Sequence, residues 1–299
     1  MQFDSLGEYV RTNSLKLPKE TFKNDNWLIV NEIDILLMEK IKLNSISLFD
    51  YTKGEILFGI KTGFNEAYII NEVIRNKLIQ EDVNCAEIIK PFVNGENVRK
   101  YSIDWKNSYI ILAKTGIDLN LYPSVFRYLE KYKDKLVNRS DKGINWWDLR
   151  RCSYYNVFDS PKILYPDIAL ESRFTLDTKG YYPNATLFCI PIEDYYLLAI
   201  LNSKLMWFYL SKICPVLGDI NKRGRLRLKT IYLKNLPIKK SKDTDMNFYE
   251  QIVKEILESK KQGKDTTSLE DQINRMVYEL YGLTEEEIGV VEGKNNIKL

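Results

Sequence analysis

The chain contains no histidine. That absence removes Ser-His-Asp and Cys-His catalysis, His-ligated zinc and histidine-based proton transfer. Cysteine is sparse: Cys85, Cys152, Cys189 and Cys214 stand at least 25 positions apart, so there is no CxxC metal or redox motif. No Gly-x-Gly occurs, which excludes a glycine-rich dinucleotide loop. No Pro-Pro dipeptide occurs either, so the Asn/Asp-Pro-Pro-aromatic loop of amino-methyltransferases is absent. The most apolar stretch, Tyr195 to Leu210, is broken by Asn202-Ser203-Lys204 and is too short to cross a bilayer. The opening MQFDSLGEYV lacks the apolar core of a signal peptide. A reducing, cytoplasmic setting with no membrane partner is the expectation.

Near-motifs fail on inspection. Gly54 to Thr62 approaches a P-loop, but Ile60 displaces Lys61, and Ile56-Leu57-Phe58 would put apolar bulk where backbone amides must wrap phosphate. Pro166-Asp167 and Glu258-Ser259-Lys260 could be halves of a metal-nuclease motif, yet they lie about 90 positions apart, and the second reads as ordinary helical charge pairing. Asp167 with Glu171 is one carboxylate pair among 41 acids and carries little specificity. The expectation is therefore no catalytic residue, no metal ligand and no cofactor-binding residue.

What is present is a core and an uneven charge. With 299 residues, 44% hydrophobic and 28% charged, the chain can bury a globular interior. The net charge of +3 is an average of unlike parts. From Ser241 onward there are 8 basic and 13 acidic residues; the 240 before it hold 36 and 28. The segment 218–240 has eight cations and one acid, Asp219. Such an excess suits a polyanion, and charge alone fits a solvated strand equally well. The pattern favours the first reading. Arg223, Arg225, Arg227 and Lys229 alternate with Gly224, Leu226 and Leu228, which puts the cations on one face of a strand. Like charges so placed repel one another until phosphates relieve them, and the arginine fork suits phosphate or guanine.

The periodicity predicts an α+β fold. Residues 1–50 read as a lead-in and a helix starting near Asn31-Glu32, with Ile33, Leu36, Leu37 and Ile41 at helical spacing. Residues 51–240 form the main domain, a mixed sheet with two packed helices. Its strands are expected at 56–60, 66–70, 109–113, 162–165, 186–190 and 223–230, and its helices at 123–136 and 194–212, the latter apolar all round and so buried. Residues 241–299 form a helical hairpin and tail, striped by Phe248, Ile252, Ile256 and Leu257 and by Leu269, Ile273, Met276, Val277 and Leu280. Thr267 with Glu270 and Thr284 with Glu287 are candidate capping boxes. The apolar stripes need a partner inside or outside the chain.

Two further segments look suited to recognition. In GIKTGFNEAYII, Gly63 would turn the chain and present Lys61, Thr62, Phe64 and Asn65, with Asn fit for adenine and Lys for phosphate. A plain hairpin would use the same residues. In NRSDKGINWWDLRR, Trp146 and Trp147 adjoin Arg150 and Arg151, a combination that can stack on bases. One tryptophan is expected to fill core.

With YPSVFRYLEKYKDKLVNRSDKG, PKILYPDI, LLAILNSKLMWFYL, LRLKTIYLKNLPI and the tail MVYELYGLTEEEI, these segments follow in an order that resembles the TaqI-like C-terminal specificity domain. This is the target recognition domain of adenine-specific DNA methyltransferases and of type IIG restriction-modification enzymes, and the resemblance spans about 27–290. It implies docking on double-stranded DNA beside a methyltransferase domain or subunit that binds S-adenosylmethionine and methylates adenine N6, a half this chain lacks. The expected DNA contacts are Lys61, Thr62, Asn65, Trp147, Arg150, Arg151, Arg223, Arg225, Arg227 and Lys229. The acidic hairpin at 247–281 would serve as a spacer or as a docking surface for the catalytic partner. The alternatives are an N6-adenine methyltransferase or associated endonuclease with residual activity, and a structural partner subunit whose basic ladder meets an acidic protein.

Overall fold

The computed structural model describes residues 5, 7, 32–218 and 224–294. Its centre is a four-stranded antiparallel sheet in the order β10 (Thr175–Asp177), β8 (Lys162–Pro166), β12 (Leu187–Ile190), β2 (Leu57–Phe58). Strands β8 and β12 are buried along their whole length. Their alternation explains why: Ile163, Tyr165, Phe188 and Ile190 enter one hydrophobic core, and Leu164, Leu187 and Cys189 enter another. A strand with apolar residues on both faces can separate two cores. An ion pair is sealed into the same sheet, with Lys162 Nζ 2.6 Å from Asp177 Oδ2 and both side chains fully buried. Lys162 also donates to the Phe158 carbonyl, so the buried charge is well coordinated.

The first core is closed by helices α1 (Glu32–Lys42), α7 (Tyr195–Asn202) and α8 (Lys204–Ile213), and by the hairpin α10 (Asp243–Lys261) and α11 (Thr267–Tyr281). The second lies under a sheet ordered β11 (Tyr182–Pro183), β4 (Ile89–Val93), β7 (Ser108–Ile111), β3 (Ile69–Asn71), against α4 (Glu72–Glu81), α5 (Pro123–Glu130) and α6 (Lys133–Val137). Only the β11–β4 pair in it is parallel. Smaller ribbons join β1 (Ser45–Ser47) to β15 (Pro237–Lys239) and β5 (Val98–Arg99) to β6 (Ser102–Ile103). A three-stranded sheet sets β14 (Arg225–Arg227) between β13 (Val216–Leu217) and β9 (Ile168–Ala169). Short helices α2 (Leu48–Thr52), α3 (Asn65–Tyr68), α9 (Thr230–Leu233) and α12 (Glu285–Val291) and 3-10 turns at Val83–Glu87, Leu119–Leu121 and Tyr155–Asp159 lie between or after these elements. The α+β class holds, and no described helix is long and apolar enough to cross a membrane.

Local chemistry moves several element boundaries. The expected helix 194–212 starts where Asp194 caps it, accepting from Leu197 N–H at 2.7 Å, but breaks at Ser203. The Ser203 hydroxyl accepts from Met206 N–H and opens a second helix. The expected helix 123–136 likewise divides around Lys131 and Tyr132. The strand expected at 66–70 begins only at Ile69, because Asn65–Tyr68 forms a helical turn. Strand 223–230 shortens to 225–227 in the described part, and Thr230 starts α9. The Thr284–Glu287 capping box is present, with both reciprocal bonds made. The Thr267–Glu270 box is not: Thr266 precedes the helix and donates to Glu270 instead, and Asp265 accepts from Thr267.

The hairpin's partner lies within the chain. Tyr249, Val253 and Ile256 of α10 and Ile273, Val277, Tyr278 and Tyr281 of α11 are buried, while Phe248 is exposed. The buried face is rotated from the expected stripe because tyrosines fill it. Tyr249 meets Tyr196 edge-on at 5.0 Å, and the Tyr281 hydroxyl donates to the Pro237 carbonyl and accepts from Lys239 N–H. Tyrosine rings are apolar, and the hydroxyls of Tyr196, Tyr278 and Tyr281 find partners, so tyrosine serves as a core residue here. On α1 the same rotation buries Leu37, Met38 and Ile41 and leaves Leu36 outside.

Candidate nucleic-acid interface

The turn at 61–65 is built by two side chains. Gly63 takes φ +71°, in the left-handed region where glycine meets no steric penalty. Thr62 points inward: it is 3% exposed, and its hydroxyl donates to Asn65 Oδ1 at 2.6 Å and accepts from Phe64 N–H. Thr62 therefore shapes the turn rather than standing on its surface as the sequence led us to expect. Lys61 and Asn65 remain exposed, and Lys61 lies over the Phe58 ring at 5.6 Å.

A residue outside the expected set anchors this turn to the tryptophan segment. Arg139 is buried, and its guanidinium donates to the carbonyls of Thr62 (2.6 Å), Trp146 (2.9 Å), Asp148 (2.9 Å) and Leu136 (3.3 Å). It also stacks over the Tyr68 ring at 4.9 Å, and the Tyr68 hydroxyl donates to the Trp147 carbonyl. Burial and the nearby Asp148 carboxylate raise the Tyr68 phenol against the opposing pull of Arg139, so it stays a donor. Asp148, fully buried, accepts from Ile144 and Asn145 N–H and holds the loop shut. Trp146 and Trp147 are both half-buried. They meet each other edge-on at 5.3 Å and both pack on Phe126, so neither stands as a free platform.

Downstream of that loop the cations converge. Lys61, Arg150 and Arg151 line one cavity of about 300 Å³ with Phe58, Gly59, Ile60 and residues 152–155. None of its lining residues is acidic. Burial pushes the Cys152 thiol and the Tyr154 phenol up, so both are neutral at neutral pH and the cavity's charge comes from its cations. Arg150 has Asp141 at 4.0 Å, a loose and exposed approach. Arg151 also lines a neighbouring cavity with Lys114.

The basic ladder stands on a second groove. Arg225 is exposed, Leu226 buried, Arg227 half-buried and Leu228 buried, so the alternation read from the sequence holds within 225–228. Lys229 is exposed but precedes α9 rather than continuing the strand. Arg223 lies outside the described residues. Arg225 lines a groove of about 560 Å³ with Asn94, Asp167, Arg173, Asn184 and Thr186. The two cation groups are connected through one tight backbone crossing. Ile60 bridges Asn184, and a Cβ on Gly59 would lie 2.0 Å from the Asn184 carbonyl oxygen, so only glycine fits there. Of the expected contacts, the structure thus gathers Lys61, Arg150 and Arg151 in one place and Arg225 and Arg227 in another. Among the described residues no group of three or more Cys, Asp or Glu side chains is placed to hold a metal ion.

The chain is similar in sequence and in fold to known proteins. Residues 90–238 match the TaqI-like C-terminal specificity domain. The type II methyltransferase M.MjaIV of Methanocaldococcus jannaschii is 28% identical over 235 residues, which cover 73% of this chain and 76% of that protein. The type II methyltransferase M.PaeR7I of Pseudomonas aeruginosa is 22% identical over 286 residues, 93% of this chain but 46% of the relative, so the chain spans less than half of that protein. In fold, it is similar to the type IIL restriction-modification enzyme MmeI, solved in complex with DNA, with a TM-score of 0.60 over 80% of this chain and 35% of that one at 14% identity. The family match takes in Arg139, Arg150, Arg151 and the Arg225–Arg227 strand, and it begins after the 61–65 turn. Over residues 90–238, about half of its length, the chain is similar to the TaqI-like C-terminal specificity domain.

Proposed function

We propose that the chain recognises a short sequence in double-stranded DNA and positions an adenine-N6 methyltransferase module on it. The observation that carries this reading is the cavity where Lys61, Arg150 and Arg151 converge with no acid in its lining. Arginine and lysine gathered from segments about 90 residues apart form an anion site, and duplex phosphate is the anion that the match to a specificity domain supports. Side chains on the neighbouring strand β14 would then meet base edges. The described sheets are small and, apart from the β11–β4 pair and one isolated bridge, antiparallel, and the sequence has no Gly-x-Gly, which supports placing S-adenosylmethionine elsewhere. In this proposal the cofactor and the methyl transfer belong to a methyltransferase module beyond the described residues, and no chemical step is assigned to this chain.

The test is duplex binding followed by fluorescence anisotropy between about 50 and 200 mM salt. Affinity should fall steeply, with log K linear in log salt. Replacing Lys61, Arg150 and Arg151 together by Gln should flatten the slope by about two to three units, close to 0.9 for each phosphate that is no longer neutralised. Binding insensitive to salt, or a slope unchanged in the triple variant, would overturn the assignment.

A further inference from the structure

The cations of β14 are not equivalent. Arg225 has no ion pair among the described residues and is exposed. Arg227 lies beside the Asp167 carboxylate, Nε to Oδ2 at 3.5 Å, without good hydrogen-bond geometry. Arg227 Nε and Asp167 Oδ1 are both buried and lack hydrogen-bond partners among the described residues. Asp167 occupies the single position between β8 and β9, where its backbone bonds to Thr186 and Leu228 hold it in place. The backbone beneath the carboxylate is thus fixed, and the guanidinium beside it is paired in charge but uncommitted in hydrogen bonding.

The surroundings of Arg227 are also unlike those of a phosphate clamp. Arg227 pairs with Ile168 across the β14–β9 ladder, and residues directly opposite in an antiparallel pair share a face. Continuing that register sets Leu170 beside Arg225. Ile168 is 38% and Leu170 52% exposed, so aliphatic side chains stand in the open beside the arginines. A phosphate would meet repulsion from Asp167 and gain nothing from Ile168 or Leu170. A base-pair edge in the major groove is neutral, presents guanine O6 and N7 as acceptors and cytosine N4 as a donor, and offers apolar surface on neighbouring thymine methyl groups.

We propose that Arg227, oriented by Asp167 and flanked by Ile168 and Leu170, reads one G·C base pair in the major groove, whereas Arg225 meets phosphate. Arg227 donates to guanine. Asp167 is the positioning residue that aims the fork and, by its charge, turns phosphate away. This deepens the DNA-recognition reading above and rests on it.

The experiment begins with the full chain and a random duplex library, from which its preferred sequence is selected. Affinities are then measured for that duplex and for each single-pair substitution across the same salt range. Arg227→Gln and Arg227→Lys should each lose about ten- to a hundredfold discrimination at one G·C position while the salt slope stays unchanged. Asp167→Asn should lose discrimination at that same position, and the Asp167→Asn/Arg227→Gln double variant should be no worse there than Arg227→Gln alone. Arg225→Gln should weaken all duplexes alike and lower the slope by about one. The proposal falls if Arg227→Lys preserves discrimination, if Arg227→Gln weakens every duplex equally with a lower slope, or if Asp167→Asn acts at a different base pair. Absence of salt-dependent duplex binding by the unaltered chain would instead remove the underlying DNA reading. A merely structural role for Asp167 would lower the unfolding midpoint without selecting one base position.

Discussion

Replacing Arg139 by Met removes the side-chain donors to the carbonyls of Thr62, Trp146 and Asp148 in one step, while the Leu136 carbonyl keeps its backbone donors. Buried acceptors left without partners cost more than the bonds are worth when made, so about 3 kcal/mol of stability should be lost. Arg139→Lys keeps the charge but cannot reach four directions from one nitrogen, and should lose somewhat less. Urea unfolding with the slope checked for constancy measures both; a loss below about 0.5 kcal/mol for the Met variant would show that the guanidinium is not the tie between the loops. At this scale the sequence was informative about exposure only where a pattern alternated. The spacing at 225–228 placed Leu226 and Leu228 inward correctly. Nothing in one-dimensional text separates Arg139 from the exposed Arg150 and Arg151 in the same segment, because burial of an arginine depends on carbonyls supplied by distant turns. Thr62 misled for the same reason, since a polar residue in a turn is either displayed or consumed by the turn itself.

Elements were legible where one force dominated. The all-apolar run after Asp194 announced a buried helix, and seven of the eight residues of α7 are buried. What the run concealed was its break, set by a single hydroxyl. Ser203 is fully buried, accepts from Met206 N–H at 3.1 Å and donates to the Ile200 carbonyl at 2.7 Å, so it ends one helix and caps the next. Ser203→Ala removes both bonds and should cost about 1–2 kcal/mol, within the range for a buried cap. Thr284→Ala, at the exposed box of α12, should cost about 0.5–1 kcal/mol. Thermal or denaturant midpoints of the two variants rank them, and a Ser203 variant no less stable than the Thr284 variant would contradict the assigned cap. The rotated stripes of α10 and α11 have a different origin. Hydrophobic spacing without tyrosine selected Phe248 and Leu269, whereas the packed face is completed by Tyr249, Tyr278 and Tyr281, and the hydroxyls of the last two find acceptors that only the assembled fold supplies.

Over the whole molecule, the missing histidines and the two cores together determine how stability responds to pH. No side chain has an ordinary titration near neutrality, so stability should be flat between about pH 6 and 8. The alkaline limb is different. Burial pushes the Cys189 and Cys214 thiols up to about 12, and the phenols of Tyr196, Tyr249 and Tyr281 also rise through burial. In the unfolded chain a thiol ionises near 9, so from there upward the unfolded state releases protons that the folded state retains. Their stabilising contribution is complete below pH 9 and is lost as pH rises toward 12, at up to about 1.4 kcal/mol per pH unit for each fully shifted thiol. Cys189 belongs to the second core and Cys214 to the first, so the loss should act on both sides of the central sheet and unfold them together. Unfolding free energy measured from pH 6 to 11 in reducing buffer should show the plateau and then the fall. The Cys189→Ala/Cys214→Ala variant, though less stable at pH 7 from lost packing, should fall less steeply between pH 9 and 10.5, because there the tyrosines are only beginning to contribute. An identical slope in the two proteins would mean that the thiols ionise in the folded state as readily as in the unfolded one, and that the cores admit water at the central sheet.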